Sequence, residues 1–232
     1  MSSKVLKSAA ATACSLLGGM VVGFLAGFAV QGLPVHLPQE TMAALASVPA
    51  LAGTIGGGAL WGNLLARVHG QPNRRRMTIV GGLSFGPLVI AAGFLLASLE
   101  RAIVEEGRGP ELPVHVVFTL LFVPATLIVA AGGGTAIGLA LRDRSLAAKL
   151  SIGCGLAGAG AFLLVNVSMD ALGWRVGAPG AAARATMLTV TLLGSLVATL
   201  VAGAVLGFLL ERTSPQPELA GYYGTKERPN RP

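Results

Sequence analysis

Six apolar runs govern what this chain can become. They fall at about 8–30, 44–66, 77–99, 116–140, 150–169 and 185–210. A helix rising about 1.5 Å per residue needs roughly 20 apolar residues to cross about 30 Å of hydrocarbon, so each run is long enough for one crossing. Outside them, a chain of 232 residues has no room for a sizeable aqueous domain. Composition agrees: 53% of residues are hydrophobic and 12% charged, against about 25% charge in a typical soluble domain. The sequence predicts an all-α integral membrane protein with six transmembrane helices.

The first run follows Lys4 and Lys7 and resembles a secretory signal. It is longer than the roughly 7–15 residues of a signal's apolar region and lacks a clear small-x-small exit, so it reads as a first span. Charged residues lie at the ends of the runs or between them. With the amino terminus in the cytoplasm, 13 of the 17 basic residues face inward, and only Arg101, Arg108, Arg175 and Arg184 face outward. This is the asymmetry of the positive-inside rule, and it predicts an inner (plasma) membrane protein with both termini cytoplasmic. The formal charge of +7 is then a topology signal rather than a nucleic-acid footprint, Arg74-Arg75-Arg76 included.

The glycines carry a repeat. Val48-Pro49-Ala50 precedes Gly56-Gly57-Gly58 and Gly62, with Arg67 beyond. Val123-Pro124-Ala125 precedes Gly132-Gly133-Gly134 and Gly138, with Arg142 beyond. Leu-Pro-Val-His stands ahead of both, at 33–36 and 112–115. Gly203 and Gly207 followed by Arg212 keep only the exit. The reading is three tandem two-helix hairpins, about 8–67, 77–142 and 150–212, forming one membrane domain over 1–212. A proline-rich tail, 213–232, is expected to be disordered in the cytoplasm.

Residues four apart share a helix face. At that spacing the even helices carry small-residue stripes: Ala46, Ala50, Thr54, Gly58, Gly62 and Ala66; then Thr126, Ala130, Gly134 and Gly138; then Thr191, Ser195, Thr199, Gly203 and Gly207. The first helix has Ala11, Ser15, Gly19, Gly23 and Gly27. In lipid such stripes let backbones approach closely, and aromatic side chains, at 5%, are too few to fill space otherwise. Gly58, Gly62, Gly134, Gly138, Gly203 and Gly207 are therefore expected at helix contacts. The hydroxyls Thr191, Ser195 and Thr199, with Asn166 and Ser168 near the outer end of the fifth helix, are the candidates for binding a solute or lining its path. Asn63, near the inner end of the second helix, is a polar candidate of the same kind. Pro49, Pro87 and Pro124 lie inside spans, where each removes a backbone hydrogen bond and favours a bend.

Other chemistry is thin. No ionisable residue occupies the middle of a run, which argues against a proton-coupled pump. His69 reads as a solvated loop residue. His36 and His115 occupy matching repeat positions and could ligate a metal or sense acidity, but the third repeat has no counterpart. Cys14 and Cys154 sit in apolar runs and make no disulfide framework or zinc cluster. No phosphate loop, nucleophilic triad or His-Glu-x-x-His occurs, so neither enzymatic activity nor a cofactor is expected.

Three hairpins with both ends on one side resemble the mitochondrial carriers in outline, although the carriers' proline-acid-base signature is missing. The repeated hairpin is similar to small amide and urea channels, with no shared motif. Six helices and a small-residue first helix resemble the substrate-capturing subunits of energy-coupling-factor vitamin importers, in topology only. None of these assigns a family. The expected function is passing or binding a small uncharged or weakly polar solute. The alternative is a non-catalytic subunit whose glycine faces pack in a homo-oligomer or larger membrane complex. A polar cleft beside Asn166 would favour the first.

Overall fold

The computed structural model describes residues 2–31, 38–105, 114–171 and 181–213. His36 and the tail from 214 to 232 lie outside these residues, as does the side chain of His115. The described residues form six helices: α1 (Ser3–Gln31), α2 (Gln39–Val68), α3 (Arg74–Glu105), α4 (Val114–Ala140), α5 (Arg144–Ala171) and α6 (Ala181–Thr213). Four of them contain stretches long and apolar enough to cross a membrane: Ser3–Gly27, Thr119–Ala140, Arg144–Met169 and Thr189–Thr213. Over the described residues α2 and α3 fall short of that measure. The structure is thus an all-helical chain with four clear membrane-type helices among six.

Each helix packs on its neighbours in sequence, and α6 returns to α1, closing a ring; α4 and α6 also meet across the interior. The two described turns are short. In the first, Gly70 adopts φ +62° and Gln71 donates its N–H to the Ala66 carbonyl at 2.9 Å. This glycine-terminated cap satisfies carbonyls left over at the end of α2. Arg142 takes the same left-handed conformation after α4, and Asp143 donates to the Gly138 carbonyl at 3.2 Å. The Asp143 carboxylate then accepts the Leu146 N–H at 2.9 Å, capping the start of α5. Arg76 reaches from α3 to the Leu139 carbonyl at 3.0 Å, tying the two turns together.

Glycines decide how closely the ring closes. A Cβ built on Gly58 would stand 2.7 Å from the Phe85 Cβ, and one on Gly62 2.7 Å from the Met77 carbonyl carbon. On Gly134 it would stand 2.6 Å from the carbonyl carbon of Leu150, and on Gly138 2.6 Å from the Ala147 Cβ. Gly203 and Gly207 meet Thr12 and Ser8 at 2.6 Å. Each pair belongs to an even helix and faces the odd helix that follows it around the ring: α2 on α3, α4 on α5, α6 on α1. The single stripe read on α2 is one of two glycine faces. Gly53 and Gly57 turn to α1, where they meet Gly23 and Gly19 backbone to backbone. Because α2 lies between two close neighbours, it needs small residues on both sides.

Near the two described turns the interior is dense. Leu65, Met77, Ile137, Leu150, Leu206 and Leu210 are all buried to 2% exposure or less. The outer surface is apolar as well. Exposed Leu, Val and Ile side chains occur on every helix, among them Val22, Leu51, Leu83, Leu120, Leu156 and Leu193. A water-soluble protein rarely exposes so much contiguous apolar surface.

Candidate functional site

Above the dense end lies a cavity of about 380 Å³, to which all six helices contribute. Trp61 from α2, Leu16 from α1 and Leu206 from α6 bound it beside the packed leucines. Phe85 and Val89 from α3, Phe122 and Val129 from α4, and Cys154 from α5 form much of its wall. Alternating small residues make the space: Ala125, Gly133 and Gly134 on α4 and Ala198, Ala202 and Gly203 on α6 leave volume that larger side chains would occupy. Among the described residues the lining carries no acid, lysine, arginine or histidine.

Polar groups on the lining are few, and most are already engaged. Thr12 donates its hydroxyl to the Ser8 carbonyl at 2.7 Å and accepts the Trp61 indole N–H at 3.0 Å. Thr126 donates to the Phe122 carbonyl at 2.8 Å, and Thr199 to the Ser195 and Leu196 carbonyls at 2.8 and 2.9 Å. Thr191 has a partner as well. Returning a hydroxyl proton to the carbonyl one turn back is the usual way a threonine is satisfied within a helix in lipid. Ser195 differs, since its hydroxyl makes no hydrogen bond among the described residues.

The sequence candidates therefore separate. Thr191, Ser195 and Thr199 come together on the cavity wall. Asn166 does not reach it: this buried amide donates to the Thr119 hydroxyl at 2.6 Å, linking α5 to α4. Ser168 is exposed on the outer surface and Asn63 is half-buried away from the cavity. The polar cleft beside Asn166 that would have favoured the solute reading is not seen among the described residues; the cavity lies beside Ser195 instead. One helical turn moves a side chain by 360° in 3.6 residues, so nearness along the sequence could not group these residues. None of the three span prolines lines the cavity; Pro49 is half-buried and Pro87 exposed. Thr12, Trp61, Thr126 and Cys154 were not singled out from sequence. Thr126 stood in the α4 stripe and Thr12 one position beyond Ala11 of the α1 ladder, so a reading of hydroxyls within glycine stripes would have found both.

His69 is the second correction. It is buried, at 7% exposure, between the starts and ends of α1, α2 and α6. Its Nε2 lies 2.9 Å from the Ser8 hydroxyl, which donates its own proton to the Lys4 carbonyl at 2.9 Å. With its own proton on the Lys4 carbonyl, Ser8 accepts from Nε2, and Nδ1 has no partner among the described residues. Nearby, Ser2 donates to Glu211 at 2.5 Å, joining the two ends of the chain's helical part. Burial, together with the Lys4 charge, lowers the His69 pKa below its ordinary 6.5, with Glu211 opposing. The folded protein thus holds this imidazole neutral. The stability that His69 contributes is fully present above its ordinary pKa of 6.5 and is lost as pH falls from there through the folded value, because the unfolded chain takes up the proton first. Thermal melting in nanodiscs between pH 8 and pH 5 should show this decline. His69→Gln should flatten it, while an unchanged profile in that variant would assign the decline to other groups.

No protein-family model matches the chain, and no curated protein and no solved structure is significantly similar to it. The cavity and its lining are therefore the basis for a functional reading.

Proposed function

We propose that the chain is a six-span inner-membrane protein, built as three tandem hairpins with both termini in the cytoplasm, whose ring binds or passes a small uncharged or weakly polar solute. The observation that carries this reading is the 380 Å³ cavity bounded by all six helices. Small-molecule sites run from about 300 to 1,000 Å³, with mostly apolar walls and a few placed polar groups. An uncharged wall suits an uncharged guest, since a buried charge without a partner is strongly unfavourable.

Two further observations support the six-span hairpin layout. The outward faces of α2 and α3 carry Leu45, Val48, Leu51, Ile55 and Leu60, and Ile79, Leu83 and Ile90, as lipid contact requires. The three matched glycine pairs, each against the next odd helix, are what three related hairpins around an axis would produce. Those contacts also bear on the assembly alternative. The matched glycine pairs that could have docked a partner subunit are occupied within the ring, although Gly18, Gly56 and Gly160 face open space; the occupied pairs favour the solute reading. No group on the lining is arranged for bond-making chemistry, so the activity proposed is non-enzymatic.

Orientation is tested by single cysteines at positions 73 and 107 in a Cys-free background. The first should label only from the cytoplasmic face and the second only from outside; labelling of both from outside would overturn the topology. The solute reading is tested by uptake into proteoliposomes over a panel of neutral solutes, with the cavity open and with it filled by substitution.

A further inference from the structure

We propose that the cavity's guest is a neutral, largely apolar molecule of about 15 non-hydrogen atoms carrying a single hydroxyl group, with that hydroxyl held at Ser195 and the apolar body extending toward Trp61. This deepens the solute reading above and rests on it.

Size comes first. An apolar cavity of about 150 Å³ stays dry and accommodates benzene. At about 380 Å³ the present one has roughly two and a half times that room, or about 15 atoms at the same packing. Shape follows from the helix. Ser195 and Gly203 lie eight residues apart on α6, about 12 Å along its axis. Gly203 abuts Thr12, which holds the Trp61 indole, so the space runs from a polar point at Ser195 to an aromatic end at Trp61. Between them stand Ala198, Ala202, Val129 and Leu16.

The polar end is set by which hydrogen atoms are free. Thr12, Thr126 and Thr199 have all committed their hydroxyl protons to backbone carbonyls, leaving only oxygen lone pairs toward the space. The Ser195 hydroxyl makes no hydrogen bond among the described residues and so retains an uncommitted O–H. A guest group that accepts from Ser195 and donates to a neighbouring threonine oxygen satisfies both sides, and a hydroxyl does so with one atom. A ketone or ether can only accept. A polyol would bring hydroxyls for which the apolar wall has no partners, each retaining the cost of its lost water. An ammonium or carboxylate would enter without a counter-charge.

The chain has two tryptophans, so Trp174→Phe leaves Trp61 as the sole indole reporter. At 3% exposure, facing the interior, Trp61 is shielded from quenchers dissolved in the surrounding lipid. In nanodiscs, 12-bromododecan-1-ol should quench its emission saturably and be displaced by unbrominated dodecanol. 1-Bromododecane should quench more weakly. Ser195→Ala should weaken the alcohol about fivefold, as for loss of one hydrogen bond, with little effect on the bromoalkane. Equal quenching by alcohol and alkane, insensitive to Ser195→Ala, would overturn the hydroxyl assignment while the cavity remains a binding site. Glycerol uptake by proteoliposomes without quenching by either bromo compound would overturn it while the solute reading stands. Neither quenching nor uptake of any neutral solute would overturn both.

Discussion

Gly134→Leu should break the α4–α5 seam. A Cβ at this position lies 2.6 Å from the Leu150 carbonyl carbon and 3.0 Å from the Ser151 nitrogen, and these are backbone atoms that cannot swing aside. Overpacking a core whose side chains can adjust costs about 1–3 kcal/mol. Here one helix must move as a whole, so the loss should reach or exceed the upper end, about 3 kcal/mol. The measurement is the midpoint of thermal aggregation in detergent, read by size-exclusion chromatography. Gly138→Leu should do the same, since its Cβ would meet the Ala147 backbone nitrogen at 2.5 Å. Gly138 is also absent from the cavity lining, which separates packing from occupancy. Val21→Leu, at a position 46% exposed, should leave the midpoint unchanged. If all three variants melt alike, the glycine seams do not hold the ring together.

Ser195→Phe should abolish uptake without unfolding the bundle. A phenyl ring at this position enters a space whose total volume is about 380 Å³ and removes the uncommitted hydroxyl together with much of the room beside it. Ser195 borders open volume rather than a glycine seam, so the cost to stability should be small beside that of Gly134→Leu. Solute uptake into proteoliposomes should fall at least tenfold, with a melting midpoint close to wild type. Ser168→Phe, on the exposed outer surface of α5, should transport normally. Loss of uptake in both variants, or in neither, would remove the cavity from the solute's path.

These two experiments sit at places where sequence and structure contribute unequally. Gly134 and Gly138 were legible as contact residues because a small side chain repeated every four positions has one evident use in lipid, close helix approach. What was not legible was the partner. That Gly134 meets Leu150, or that Gly203 meets Thr12 across the closure of the ring, depends on which helices become neighbours. The second glycine face of α2, through Gly53 and Gly57, was hidden for a related reason. In a run of Gly56, Gly57 and Gly58 the four-residue ladders overlap, and the sequence does not say which ladder faces which helix.

The candidate site shows the same division. Thr191, Ser195 and Thr199 stand out in the sequence as a hydroxyl ladder, and Asn166 as the largest polar side chain near the outer end of its span. By side-chain polarity alone Asn166 ranked above them. The structure places it against Thr119, where an amide in lipid is satisfied between helices, and leaves Ser195 on the wall of an open space. His69 was misread because a loop of five residues between two helices is ordinarily solvated. Here the loop folds under α1, so that Ser8 and the end of α6 enclose the imidazole.

By itself the sequence determined the environment and the local geometry. Long apolar runs with charge only at their ends can satisfy their backbone groups in lipid only as helices, and the glycine spacing made those helices able to pack closely. Both follow from interactions within a few residues along the chain. Only the tertiary structure decided that α6 closes on α1, that small residues from α4 and α6 leave a cavity rather than a solid core, and that one hydroxyl on its wall keeps a free proton. Those facts depend on the sum of side-chain volumes contributed by six helices at one level and on which carbonyl each hydroxyl reaches. Neither quantity belongs to any single segment of the sequence.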